Sequence, residues 1–66
     1  MQLQLNGEIR EVDAGIALAK LLEQTGLDGR RVAVEINGHI VPRSQHATHR
    51  LSEGDHIEIV HALGGG

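Results

Sequence analysis

The sequence predicts a two-layer α+β domain in which one helix packs on one face of a mixed sheet of four to five strands. Two Asn-Gly dipeptides, at positions 6–7 and 37–38, each separate two short strand-like segments. A segment with leucines at helical spacing lies between these two units, and an alternating segment follows them. Because one helix cannot cover both faces of a sheet, the element order β-β-α-β-β-β indicates two layers.

The first unit is predicted to be a β-hairpin. Leu3 and Leu5 alternate with glutamines, which is the period of a half-buried strand. Asn6-Gly7 follows, and this dipeptide tolerates the positive φ angles of a type I′ turn. Ile9 and Val12 are then placed on the return strand.

The segment between the hairpins is predicted to be the helix. Leu18, Leu21 and Leu22 fall at i, i+3 and i+4 and form one apolar face. Gly26 is placed to end the helix in the left-handed conformation. The position where Ser or Thr would cap the first turn holds Ala17. Because a missing cap costs about 0.5–2 kcal/mol, we expect the first turn to fray and Ala17→Thr to raise stability.

A second hairpin and a last strand complete the predicted sheet. Residues 32–36 form one strand, and a short return strand at 40–41 ends at Pro42, which cannot donate to a ladder. Residues 43–50 are polar and indicate a loop or short helical turn, and the last strand spans 56–63. The apolar residues predicted to face the helix from these strands are Val32, Val34, Ile36, Ile57 and Ile59.

Composition excludes several classes of protein. The 66 residues suffice for one domain, predicted at 1–63, with a flexible glycine tail at 64–66. Without cysteine there is no disulfide, thiolate nucleophile or cysteine-ligated zinc. A formal charge of −3 and the lack of aromatic residues argue against nucleic acid. No run approaches roughly 18 apolar residues and the first segment is unlike a secretion signal, so we expect a cytoplasmic protein.

The size of the chain favours a carrier or binding module over an enzyme. A domain of this length buries only about 60% of the surface that its unfolded chain exposes. Small-molecule pockets usually enclose roughly 300 Å³ or more, which would consume most of so small a core.

The last three residues are glycines, and they contribute nothing to packing. One interpretation is a frayed terminus or a truncation scar. The functional interpretation is an extendable handle that reaches roughly 13 Å beyond the domain and threads a channel too narrow for side chains. Its reactive group would be the α-carboxylate of Gly66. A carboxylate is a poor electrophile, so a partner enzyme would have to activate it, for example as an acyl-adenylate.

The order of elements and the tail resemble a known family over the whole chain. This is the ThiS family, whose members are sulfur-carrier proteins of thiamin biosynthesis with the ubiquitin-like β-grasp fold. The resemblance rests on Leu5-Asn6-Gly7, Ala14-Gly15, Leu21-Leu22-Glu23, Ala33-Val34-Glu35-Ile36-Asn37, Ile40-Val41-Pro42-Arg43, Leu51 with Gly54-Asp55, and Gly65-Gly66. Two departures are Ala17, where relatives often have Ser or Thr, and Gly64, where they often carry a small or apolar side chain.

The resemblance implies a chemistry carried out by partner enzymes. An E1-like adenylyltransferase, ThiF, would adenylate Gly66 with ATP and magnesium, and this chain would bind no cofactor itself. Persulfide sulfur, from a cysteine desulfurase or similar donor, would displace the adenylate and leave a thiocarboxylate. That species would deliver sulfur to the thiazole synthase ThiG. Gly65 and Gly64 would thread the partner's channel.

The outer face of the sheet is the predicted docking surface. If Ile57 and Ile59 face the helix, the alternate residues of the last strand face outward beside the tail. Arg43 either pairs with an acidic group of a partner or ties down its own loop. The predicted docking residues are Val60, Ala62, Leu63, Ala33 and Arg43.

The histidines are expected to lie in solvent and to bind no metal. His46 and His49 have i, i+3 spacing, but no third ligand is evident. His61 either makes docking pH-sensitive or is a simple sheet-edge residue.

Three alternatives stay open. Within the fold, the chain could be a molybdopterin-type carrier or a ubiquitin-like modifier. A plain β-grasp interaction domain with incidental glycines is another class, and a small His-based hydrolase is a third. We expect a monomer, because a carrier must leave one enzyme to reach the next.

Overall fold

The computed structural model describes residues 1–27 and 31–61. The predicted element order is confirmed. The elements are β1 Gln2–Leu5, β2 Glu8–Glu11, α1 Leu18–Gln24, β3 Val32–Ile36, β4 His39–Val41, a 3₁₀ turn Arg43–Gln45, and β5 His56–His61. Val12, predicted on the second strand, lies just beyond its end. Of the last predicted strand, residues 62 and 63 lie outside the described residues.

The five strands form one mixed sheet in the order β2-β1-β5-β3-β4. β5 comes last in the sequence but lies at the centre, parallel to β1 and antiparallel to β3. The two hairpins, β1–β2 and β3–β4, therefore lie on either side of β5, and their strands are joined in the sheet through it. The sheet confirms the mixed arrangement predicted from the sequence.

Both hairpins turn at their Asn-Gly dipeptides, as predicted. Asn6 and Asn37 have φ angles of 49° and 52°, and the glycines after them have 84° and 85°. A type I′ turn requires positive φ at both central residues, which asparagine and glycine tolerate better than other residues. The two-residue turns fix the register within each hairpin.

The same asparagines also tie both hairpins to β5. The Asn6 side-chain oxygen accepts a hydrogen bond from the backbone amide of Ile59 at 2.8 Å. The Asn37 side-chain oxygen accepts one from the amide of His56 at 2.9 Å, and its Nδ2 donates to Asp55 Oδ1 at 3.0 Å. Each turn therefore holds the central strand from one side.

The core lies between the helix and one sheet face. Leu18, Leu21 and Leu22 of α1 are buried, which confirms the predicted apolar face. Gly26 ends the helix with a φ of 76°, also as predicted. Aliphatic side chains from all strands except β2 complete the core. The buried hydrophobic residues are Leu3, Leu5, Ile16, Leu18, Leu21, Leu22, Val34, Ile36, Val41, Leu51, Ile57 and Ile59. No helix among the described residues is long and apolar enough to cross a membrane.

The first turn of α1 is better satisfied than the sequence predicted. Ala17 occupies the N-cap and makes no side-chain hydrogen bond. However, the amide of Leu18 donates to the carbonyl of His49 at 2.9 Å, and the amide of Ala19 donates to that of His46 at 2.8 Å. These two carbonyls take the place of a capping side chain. The prediction of a frayed first turn is wrong, because a distant segment supplies the acceptors.

His46 is buried, so the prediction that the histidines lie in solvent is wrong for this residue. Its side chain is 7% exposed, and its Nε2 lies 3.0 Å from the carbonyl oxygen of Val41. This contact gives the buried Nε2 a hydrogen-bonding partner inside the protein. It anchors the segment that accepts the helix amides, so one residue contributes both a side-chain and a backbone contact.

The helix start gives a first prediction. Ala17→Thr should change the free energy of unfolding by less than about 0.5 kcal/mol, because the first amides already have acceptors. Urea denaturation of the two proteins measures the difference. A gain of about 1 kcal/mol or more would show that the amides are not held as described.

A second prediction compares the two turn asparagines. Asn37→Asp should lower stability by about 1–2 kcal/mol, because a carboxylate would replace the Nδ2 donor and face Asp55. Asn6→Asp is the matched control: its oxygen keeps the bond from the Ile59 amide, and we expect a change below about 0.5 kcal/mol. Equal urea midpoints for the two variants would contradict the Asn37–Asp55 contact.

Candidate functional site

β5 directs the chain toward the glycine tail from the centre of the sheet. Its last described pairing joins His61 to Val32 of β3. The predicted site residues Gly64, Gly65 and Gly66 lie outside the described residues, as do Ala62 and Leu63. Their predicted roles therefore stay predictions, and the described part of the site is the sheet surface that precedes them.

Two of the predicted docking residues lie side by side. Val60 of β5 pairs directly with Ala33 of β3. Val60 is 58% exposed, whereas Ala33 is half-buried. Ile57 and Ile59 are buried against the helix, so the predicted division of β5 into an inner and an outer face is confirmed. Docking by Val60 and Ala33 stays a prediction.

Arg43 lies apart from this pair. It begins the 3₁₀ turn after β4, on the segment that leads to the start of the helix. Within the described residues its exposed side chain makes neither a hydrogen bond nor an ion pair, so this side chain does not tie its own loop down there. The strand pairings do not bring Arg43 next to Val60.

The strand register adds three residues that the sequence analysis did not single out as site residues. Glu35 of β3 faces Glu58 of β5 directly across the sheet, and on its other side it pairs with Ile40 of β4. All three side chains are exposed, Ile40 to 64%. Together with Ala33 and Val60 they form a continuous surface on the face opposite the helix. We call these five residues the outer patch.

One strand pairing within the outer patch could be predicted from the sequence. A two-residue turn at Asn37-Gly38 fixes the pairing of Ile36 with His39, and therefore of Glu35 with Ile40. The pairing of Glu35 with Glu58 has no such local signal, because β4 and the polar segment lie between β3 and β5 in the sequence.

An open depression of about 460 Å³ adjoins the two glutamates. Its remaining walls come from the second Asn-Gly turn and from the start of β5. The lining residues are Glu35, Asn37, Gly38, Gly54, His56 and Glu58. Its acidic groups lie on the side of the outer patch, which suits the depression to a cationic group better than to an anion.

The histidines of the described ranges do not form a metal site. His46 contacts the Val41 carbonyl inside the protein, and is not paired with His49 toward a common ligand. No group of three His, Asp or Glu side chains in residues 1–27 and 31–61 converges closely enough to hold an ion.

Comparison with known proteins gives a consistent family. The model of the ThiS family matches residues 3–66. The sulfur carrier protein ThiS of Escherichia coli is 36% identical over 66 residues, which cover all of both chains. The crystal structure of the thiamine biosynthesis protein ThiS from Geobacter metallireducens superposes with a TM-score of 0.86, at 29% identity and with full coverage of both chains. This match confirms the predicted β-grasp architecture.

Two further relatives are larger proteins. The thiazole synthases of Paramagnetospirillum magneticum and Magnetococcus marinus are 46% and 42% identical to the whole of this chain. The chain spans 20% of the length of each. The family model, the full-length relative and the superposed structure agree over the entire chain, and the chain therefore belongs to the ThiS family.

Proposed function

We propose that this chain is a sulfur carrier of thiamin biosynthesis, whose working group is the α-carboxylate of Gly66. The observation that carries the proposal is the end-to-end match to the sulfur carrier ThiS of Escherichia coli, at 36% identity. The fold supports it, because the central strand β5 leads toward the closing glycines. The carrier would act as a co-substrate of partner enzymes.

The chemistry proceeds by activation and displacement at one carbonyl carbon. A carboxylate oxygen of Gly66 attacks the α-phosphorus of ATP, and pyrophosphate leaves. The terminal sulfur of a persulfide then attacks the carbonyl carbon of the acyl-adenylate. The bond between that carbon and the phosphate oxygen breaks, and AMP leaves. A thiol finally attacks the donor's own sulfur in the resulting acyl disulfide. The S–S bond breaks, the thiol and the donor form a new disulfide, and the thiocarboxylate leaves. ATP and magnesium belong to the adenylating partner, of the ThiF type.

The chain's own residues supply presentation rather than catalysis. The sequence contains no cysteine, so the attacking sulfur must come from outside these residues. Gly65 and Gly64 lack side chains, which lets the tail enter a narrow channel at the cost of ordering flexible backbone. Val60 and Ala33, with Ala62 and Leu63 beyond them, would contact the partner beside that channel.

Thiazole synthase is the acceptor of the sulfur in this proposal. Two proteins of that name contain a segment more than 40% identical to this chain, which supports a working association between the two. The adenylating enzyme and the persulfide donor rest on the family resemblance. We propose that all of these steps take place in the cytoplasm and that the carrier is a monomer between encounters.

Intact mass gives the direct test of this function. A protein that ends at Gly66, incubated with a ThiF-type enzyme, ATP, magnesium, a persulfide donor and a thiol, should gain the mass difference between one sulfur and one oxygen. Fragmentation should place that gain on Gly66. A variant that lacks Gly65 and Gly66 is the control, and a mass gain that persists in it would show that the sulfur is carried elsewhere.

A fourth prediction concerns the free carboxylate. One alanine added after Gly66 should abolish the mass gain, because the reacting group would then be a peptide carbonyl. The urea midpoint should stay unchanged, since glycine has no side chain to pack in a core. Normal sulfuration of the extended protein would rule out chemistry at a terminal glycine.

A further inference from the structure

Glu35 and Glu58 form an unfavourable pair in the middle of the sheet. They are direct partners on antiparallel strands, where opposite Cβ atoms lie about 4.5–5.5 Å apart and like charges are destabilising. Neither carboxylate has a cationic partner among the described residues, where the two ion pairs are Met1–Glu11 and Lys20–Glu23. The pair therefore costs stability in the isolated protein.

The surroundings of the pair resemble the centre of a protein interface. Ile40 pairs with Glu35 on one side, and Val60 follows Glu58 on the same face of β5, opposite Ala33. Ile40 and Val60 are largely exposed, Ala33 is half-buried, and all three adjoin the carboxylates. When a partner covers them, they exclude water from the charges and strengthen any ion pair formed there.

The depression beside the glutamates has room for one long side chain. Its volume is about 460 Å³, and both carboxylates lie on its wall. The other lining residues are Asn37, which already holds Asp55 and the amide of His56, then His56 itself with its imidazole, and two glycines that add no side chain. A guanidinium or ammonium group entering this space would meet two acceptors at once.

We propose that the outer patch is a docking surface for thiazole synthase, and that an arginine or lysine of the synthase enters the depression and bridges Glu35 and Glu58. The proposal rests on the proposed function, which supplies this partner. It is carried by the two carboxylates, which have no cationic partner among the described residues and which a basic side chain would complement. Continuity supports it as well, because β5 runs from Glu58 through Val60 toward the tail. A synthase bound to the patch would therefore hold the carrier close to the sulfur-bearing end.

Binding of purified thiazole synthase, measured by calorimetry at low and high salt, tests the proposal. Glu58→Gln and Glu35→Gln should each weaken binding about tenfold and flatten its salt dependence, because one charge-assisted contact is lost. Glu8→Gln is the matched control. It removes the same charge from exposed β2, at the sheet edge, where Glu8 pairs with Leu5 away from the patch. It should bind as the unchanged protein does.

The fold of the variants is checked independently. Glu58→Gln should melt at the same or a higher temperature than the unchanged chain, because repulsion from Glu35 is removed. Weaker binding by a variant of undiminished stability then reports the interface itself. Equal binding by all the variants would contradict the proposal, and so would equal weakening by Glu8→Gln, which would indicate a mere effect of net charge.

The docking proposal can fail while the proposed sulfur-carrier function holds, because the two are measured separately. Sulfuration of Gly66 by the adenylating system is followed by mass without thiazole synthase. If Gly66 gains sulfur but the synthase binds without regard to the glutamates, or does not bind, the docking proposal is wrong and the carrier function stands. If the glutamine variants impair sulfuration and leave synthase binding intact, the patch serves the adenylating enzyme instead, which also contradicts the proposal.

Discussion

The pairing of β5 with both β1 and β3 is the constraint on which the rest of the structure depends. The two hairpins share no direct pairing, so the sheet becomes continuous only when the last strand enters between them. Asn6 and Asn37 hold that strand through side-chain oxygens on its backbone amides. The strand that leads toward the tail is thus held on both sides. A carrier gains from this arrangement, since it fixes the strand that leads toward the reactive end.

The helix shows how a small domain replaces local signals with distant contacts. α1 is only seven residues long and lacks a capping side chain. Its first amides are accepted by carbonyls of the segment after β4, and that segment is held in turn by the buried His46 beside Val41. A short helix gains little from its own hydrogen bonds, so most of its stability comes from packing and from contacts of this kind.

The predictions that succeeded rest on local rules, and those that failed depended on residues far apart in sequence. Asn-Gly turns, alternating strands and helical leucine spacing were sufficient for the element order and for which side of β5 faces the core. They gave no means of predicting that His46 is buried or that His49 accepts a helix amide. The direct pairing of Glu35 with Glu58 could not be predicted either, because the register of two non-consecutive strands is set by the whole sheet. The tail predictions for Gly64, Gly65 and Gly66 concern chemistry with partners, and they stay predictions.

We predict that the protein carries sulfur at the carbonyl carbon of Gly66 in its native cells. The most direct measurement is the intact mass and C-terminal fragmentation of the protein isolated from its own source while thiamin synthesis is active. We expect a chain that ends at Gly66 and a fraction of molecules with a thiocarboxylate at that residue. A chain that continues beyond Gly66, or sulfur found only at another position, would contradict the account.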